Sequence, residues 1–289
     1  MIIQLLVSGL ALGSMYGLVA LGYHMTWATS RTLNFSQGHV VMLGAVVAYG
    51  VHVAAGWPLA VAVIATLAAS AAFGLVVERI AVRPFFTAGS PVWLLSTIAL
   101  GIIVENVAMV TFGKDARAFP STLALKPVFL LGAGVYPQEL LLPLAGVVLM
   151  GGTQLFYHRT FYGRQLKAVA WDREAAGLMG IHVPRAVATA YALSAVLAGV
   201  AGVLLAPLLN VSPTMGTLIG LKAFAVAILG GLGSAAGIVV AGFLYGLVEA
   251  LVAGYVSTGA REIVGFALVI AMLTVRPWGL GGRRPTRRV

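Results

Sequence analysis

Residues 1–30, 32–77, 186–221 and 223–248 contain no Lys, Arg, Asp or Glu. A helix that crosses a membrane needs roughly 20 apolar residues to traverse about 30 Å of hydrocarbon. Each of these runs is long enough for one or two such helices. The mean hydropathy of +1.00 extends this character over the whole chain. The fold class is therefore an all-α polytopic membrane protein. A closed β-barrel would show short segments alternating between apolar and polar residues, and none occurs.

The apolar runs predict spans at 2–27, 37–55, 58–77, 92–112, 138–158, 186–208, 236–255 and 262–276, with a short segment at 219–230. Gly56-Trp57-Pro58 reads as a tight turn between the second and third spans. The N-terminal stretch lacks a basic leader region and a small-residue cleavage site, so it reads as a retained first span. There is no cysteine, which excludes disulfides and Cys-ligated metals. The 36 glycines suit helices that pack backbone to backbone.

A net charge of +10 in a soluble protein would raise the question of nucleic acid. Here the basic residues cluster at span ends: in the loop at 78–91, in the loop at 156–185, and in the tail GLGGRRPTRRV. That is the positive-inside pattern, and it excludes nucleic acid in favour of membrane lipid. It predicts nine crossings with the N-terminus outside and the C-terminus inside. The stretch GGLGSAAG at 230–237 would break a helix within the bilayer. Residues 219–230 therefore also admit a re-entrant reading, which leaves eight crossings. Trp57, Trp93 and Trp278 near span ends read as interfacial anchors. One domain covers 1–289, with a cytoplasmic loop at 159–185 and a basic tail at 277–289.

LNFSQGHVVMLGAVVAYG at 33–50 echoes LNVSPTMGTLIGLKAFAVAILGG at 209–231, both opening on Asn-x-Ser. The predicted topology puts Asn34 inside and Asn210 outside, as an inverted repeat requires. Asn34 or Ser36 would cap the second span, and with Gln37 they are also candidates for a translocation pathway. Ser36 and His39 would share a helix face, but no nucleophile elbow or zinc spacing accompanies them, so His39 reads as a satisfied histidine at a helix terminus.

Glu105, Lys222 and Glu249 lie inside apolar segments. A charge at bilayer depth costs at least about 2.5–3.5 kcal/mol, so it normally faces a bundle interior or water. Lys222 is expected to pair with Glu105 or Glu249, with contact to a zwitterionic cargo as the functional alternative. The glutamate and arginine of ERIAVRPF at 78–85 are expected to cap a helix end and anchor it.

Residues 163–184, GRQLKAVAWDREAAGLMGIHVP, concentrate charge in a chain that is only 9% charged. Asp172 is a good N-cap, Glu174 sits in a first turn, and Gly180 suits a helix C′ position. A short helix is predicted over 173–179. Leu166, Val169 and Ala170 form an apolar stripe ahead of it. This pattern fits an amphipathic surface loop or a docking knob for a soluble partner.

EAAGLMG resembles the Glu-Ala-Ala-x-x-x-Gly coupling loop of ABC importer permeases, although the Ile-x-Leu-Pro that usually follows is missing. With TLNFSQGHVVMLGA at 32–45, ERIAVRPF, GRQLKAVAWDREAAGLMGI and GLKAFAVAILGGLGSAAG at 220–237, the chain resembles the LivH-type permeases of branched-chain amino-acid transporters nearly end to end. The resemblance implies a non-enzymatic subunit in a bacterial inner membrane, with a second, LivM-like permease. It also implies two cytoplasmic ATPases and a periplasmic substrate-binding protein. Gly163, Leu166, Asp172, Glu174, Ala175, Ala176 and Gly180 would couple to an ATPase. ATP and Mg would sit in those partners, since no G-x-x-x-x-G-K-[ST] phosphate loop occurs in this chain. Permeases of the same family for urea or amides, and a proton-driven secondary transporter, are the rival readings.

Overall fold

The structure is a computed structural model that describes residues 2–85, 91–124, 126–130 and 133–282. Residues 86–90 of the first basic loop, and Arg283, Arg284, Arg287 and Arg288 of the tail, lie outside the described residues. The helices are α1 (Ile2–Ser30), α2 (Gln37–Tyr49), α3 (Leu59–Val76), α4 (Val92–Phe112), α5 (Pro137–Arg159), α6 (Phe161–Trp171), α7 (Arg173–Leu178), α8 (Val183–Leu209), α9 (Met215–Gly230), α10 (Ala235–Tyr255) and α11 (Ala260–Val275). Turns of π-helix carry α2 on to Ala54 and α3 on to Val82, and a 3-10 turn then reaches Phe85. A two-stranded hairpin, β1 (Val128–Leu130) and β2 (Ala133–Val135), lies between α4 and α5.

Among the described residues, seven helices are long and apolar enough to cross a membrane: Ile2–Ser30, Gln37–Ala54, Leu59–Phe85, Val92–Phe112, Pro137–Arg159, Val183–Leu209 and Ala235–Tyr255. The segment expected at 219–230 starts earlier, at Met215. Both α9 and α11 have 16 residues, about 24 Å at 1.5 Å per residue, which is less than an upright crossing requires. The third span also differs from expectation. Its helix continues through residues assigned to the 78–91 loop, because Glu78 finds an internal partner and the helix can carry it.

Helix α1 is the hub, packed against α5, α8, α9 and α10. The α1–α10 seam is glycine on glycine: a Cβ on Gly13 would come within 3.2 Å of Gly246 Cα and Phe243 Cα. In lipid no hydrophobic force separates helix from solvent, so such close backbone contact supplies much of the adhesion.

The contacts bear on the inverted repeat directly. Helices α1 to α4 and α8 to α11 make the same pairings with the sets exchanged. Helix α1 packs on α10 as α8 does on α3, and α1 packs on α9 as α8 does on α2. Likewise α2 contacts α3 and α4 as α9 contacts α10 and α11, while α2 and α9 meet each other. At that meeting Gly38 faces Gly216 and Gly220. The two Asn-x-Ser segments are not conformational equivalents, however. Asn34 is fully buried, whereas Asn210 is exposed and ends α8 with φ +59.

The described parts of the three basic clusters share one face. The Arg173 Nε donates to Thr29 O near the end of α1, Thr32 and Tyr191 hydroxyls lie 2.7 Å apart, and Leu280 N donates to Leu229 O. Val77, Ala81 and Val82 pack on Val187 and Tyr191 at the start of α8. At the other end Ser8 donates to Glu139, and Arg117 pairs with Val211 through backbone bonds.

Because the chain is free of cysteine, this sidedness is directly testable. Cysteines placed at Phe129 and Tyr162 should react with a membrane-impermeant maleimide differently: the first in intact cells, the second only after permeabilisation. Labelling of Tyr162→Cys in intact cells would invert the topology.

Candidate functional site

The loop at 159–185 folds as two short helices braced against the bundle. Thr160 caps α6 by accepting from Gly163 N at 3.0 Å. Gly163 is packed so closely on Phe156 and Tyr157 that a Cβ would collide with their backbone. Leu166 and Val169 bury the inner face of α6, with Ala170 partly covered beside them.

Asp172 then caps α7, its Oδ1 accepting from Ala175 N at 3.0 Å. The far end closes with Ile181 N on Ala176 O and Gly180 N on Gly177 O, each 3.0 Å. Gly180 holds φ +84, the left-handed conformation such a closure demands. The helix runs one residue shorter than expected, with Met179 as its C-cap.

A helix this short is stable only because both ends are capped and Ala176 is buried. It leaves Glu174, Ala175, Leu178 and Met179 outside, with Trp171 exposed just ahead of it. Arg173 ties the knob to the hub through Thr29 O. Burial, and behind it the neighbouring Arg31, pull the Arg173 guanidinium below its ordinary range.

Asn34, Ser36 and Gln37 are each 0% exposed. The Asn34 Oδ1 accepts from Ser36 N at 3.1 Å and from Ser36 Oγ at 2.5 Å, closing an Asx turn. Ser36 occupies the N-cap position of α2 but caps nothing with its side chain; its backbone, at φ −79 and ψ 2, lacks the extended conformation of a usual N-cap, and its hydroxyl donates to Asn34. Gln37 Nε2 donates to Ser194 O at 2.9 Å, and Ser194 Oγ returns a bond to Gln37 Oε1 at 3.1 Å. This network joins α2 to the middle of α8. Glu78 and Arg83 likewise make a fork of 2.9 and 3.0 Å instead of capping a helix end.

Glu105 is not Lys222's partner. It faces His39, whose Nε2 lies 3.0 Å from Glu105 Oε2, and Thr217, whose hydroxyl donates to the same oxygen at 2.8 Å. His39 sits in the first turn of α2, as expected of a helix-terminus histidine, and Glu105 is the partner that the chain did not name. Its ring fits against Gly101, where a Cβ would collide with it, and it links α2 to α4. These residues line a cavity of about 390 Å³ whose other walls are largely apolar, among them Phe35, Ile102, Leu221 and Phe224. Glu105 and Thr217 are thus brought together from α4 and α9, a pairing that no spacing in the chain announces.

A transmembrane bundle with a braced knob on its basic face agrees with sequence comparison. The family model for the branched-chain amino acid transport system permease component matches residues 5–273. The chain belongs to that family. It is 32% identical over 300 residues to the high-affinity branched-chain amino acid transport system permease protein LivH of Escherichia coli strain K12, covering 99% of this chain and 97% of that protein. It is 33% identical over 301 residues to the permease protein BraD of Pseudomonas aeruginosa, covering 99% and 98%. A shorter match, 34% over 137 residues, links 44% of this chain to 34% of the xylose transport system permease protein XylH of Escherichia coli.

In this permease Lys222 pairs with Glu249. The Nζ–Oε1 distance is 2.5 Å, with side chains 3% and 4% exposed. Arg261 Nε stands 3.5 Å from the same Glu249 oxygen, and Glu262 lies 3.9 Å from Lys222. The residues the sequence reading missed are His39 as the partner of Glu105, Thr217, Ser194 and Arg261. Helix α9 separates the two polar groups, turning Thr217 towards the cavity and Lys222 towards α10 and α11.

A fully stranded buried charge costs about 3–5 kcal/mol, and without Lys222 the buried Glu249 keeps only the more distant, partly exposed Arg261. Lys222→Met alone should therefore lower the unfolding midpoint in detergent markedly, and adding Glu249→Gln should recover much of the loss. Adding Glu105→Gln instead should recover nothing.

Proposed function

We propose that this chain is the transmembrane permease subunit of an ABC importer for branched-chain or related amino acids in a bacterial inner membrane. The observation that carries the coupling half of this reading is α7, a helix capped at both ends and presented outside the bundle on the basic face. A soluble ATPase needs a rigid handle, and α7 offers Trp171, Leu178 and Met179 for burial, with Glu174 to set orientation. Gly163, Leu166, Asp172, Ala176 and Gly180 would hold that handle in shape, while Glu174 and Ala175 would touch the partner. The Arg173 contact to Thr29 O would pass displacement of the knob to α1, and from there to the helices packed on it.

ATP and Mg would be bound by two partner ATPases, and the chemistry would be theirs. A periplasmic binding protein would deliver the cargo to the opposite face. A second permease, LivM-like, would complete the pathway. In this chain the cavity at Glu105 supports the pathway assignment best. It offers apolar walls for an aliphatic side chain and one carboxylate for an ammonium group. Asn34, Ser36 and Gln37 would shape the pathway by fixing the start of α2, since none of them reaches a cavity surface. Lys222 and Glu249 would hold α9 to α10.

Two variants test the coupling role. Gly180→Val places a β-branched residue at positive φ, and Leu178→Asp puts a charge on the exposed tip. Both should insert normally and abolish ATP-dependent uptake in proteoliposomes holding the complete transporter. Normal uptake by both would refute the docking role of α7.

Glu105 separates this reading from a proton-driven carrier. With Glu105→Gln the remaining uptake should still require ATP. Uptake by the unaltered transporter that follows an imposed proton gradient without ATP, and is lost in Glu105→Gln, would overturn it.

A further inference from the structure

A second cavity, of about 340 Å³, lies at the basic face, bounded by α1, α5, α6 and the turn into α10. Its floor is mostly apolar, with Leu21, Met25 and Ala28 of α1, while His24, Thr153, Gln154 and Tyr157 add polar lining. Its rim carries two cations, Arg31 and Lys167, and no Asp or Glu lines it. Among the described residues neither cation meets a carboxylate in an ion pair. Arg31 instead lies 5.8 Å over the Trp27 ring, and Lys167 Nζ donates to His158 Nδ1 at 3.0 Å.

Three further observations narrow what could fill this cavity. Arg31 holds φ +54, a left-handed conformation that Gly or Asn would take more easily than a long side chain. The chain nevertheless places a guanidinium there, beside Arg173, whose own guanidinium is held down by burial and by Arg31. Trp27 and Trp171 both line the cavity, as aromatic rings do at the level of lipid headgroups. From Arg31 the cavity descends along α1 to Leu21, about 15 Å at 1.5 Å per residue. That depth exceeds a phosphate group and matches a headgroup with the upper part of an acyl chain.

We propose that this cavity binds the phosphate of an anionic phospholipid, with Arg31 and Lys167 on the phosphate and the apolar floor under the glycerol and first methylenes. A free phosphate ion shares the headgroup chemistry but leaves the floor uncovered, and a zwitterionic lipid brings an ammonium group towards the two cations. The site is independent of the Glu105 cavity and of the identity of the cargo. It lies next to α6, so the lipid would rest against the base of the knob that α7 presents.

The test uses the full chain reconstituted in vesicles of equimolar phosphatidylcholine and phosphatidylglycerol, with retained lipids counted by native mass spectrometry. The unaltered chain should keep phosphatidylglycerol in preference to phosphatidylcholine. Combining Arg31→Asn, which suits the left-handed backbone, with Lys167→Gln should reduce that retention several-fold without shifting the melting curve. Lys114→Gln, exposed at the opposite end of the bundle, should leave it unchanged.

If the double variant is unstable, Lys167→Glu alone serves, because Lys167 is exposed and its replacement opens no core; it should reverse the lipid preference. Equal phosphatidylglycerol retention by the unaltered and the altered chains would overturn the proposal. Displacement of the lipid by millimolar inorganic phosphate would overturn it as well, since the site would then be one for the free ion.

Discussion

Inside a bilayer each backbone N–H and C=O must find its partner within the protein, because no water is present to serve. Helix is the only open-chain answer, and the rest of this permease follows from where helix is interrupted. Each break has a visible compensation. The segment before α2 is buried, and Asn34 supplies through its carboxamide the acceptor that the free Ser36 N–H lacks. The turn between α9 and α10 is satisfied by the returning tail, where Gly281 N donates to Gly230 O and Leu280 N to Leu229 O. Short polar residues and glycine appear at these points because only they fit both the geometry and the bonding.

With backbone polarity satisfied, adhesion between helices comes from close contact, which explains the glycine seams. Gly13 against Gly242 and Gly246, and Gly38 against Gly216 and Gly220, bring α1 to α10 and α2 to α9. The exchanged pairings of α1–α4 and α8–α11 put these contacts at corresponding places in the two helix sets. A bundle built this way has its tightest seams at the centre, while α4 and α5 remain peripheral. Helix α4 is held to α2 and α9 by Glu105 with His39 and Thr217, and by the Phe35 N bond to Thr97. These few polar contacts border a cavity, so one set of side chains both positions α4 and shapes the space beside it.

The charged residues fall into three groups with different physics. Lys222 and Glu249 keep each other tolerable at low exposure, and the buried Glu78 is neutralised by the partly exposed Arg83. Glu105 is hydrogen-bonded yet reaches a cavity. The cations Arg31 and Lys167 line a crevice of the basic face that, among the described residues, carries no carboxylate on its wall. Only the first group is explained by folding alone.

Much of this was legible in the chain. Runs without charge set the helices and most of their ends, since the cost of burying a charge in hydrocarbon leaves few alternatives. Asp172 and Gly180 marked both ends of α7, because caps are local chemistry acting over three or four residues. The Asn-x-Ser echo falls at α2 and α9, whose helix pairings correspond, although the two Asn-x-Ser turns differ in conformation. What the chain could not declare was partnership across it. Lys222 had two carboxylates of equal claim by sequence, and the rotation of α9 alone assigned it Glu249. His39 and Glu105 stand 66 positions apart, and their contact depends on the absence of a side chain at Gly101. Ser36 does not cap because its backbone is not extended at the start of α2. Periodicity and local capping act within a few residues and so are written in the order of the chain. Pairing and cavities depend on distances that exist only after the helices have packed.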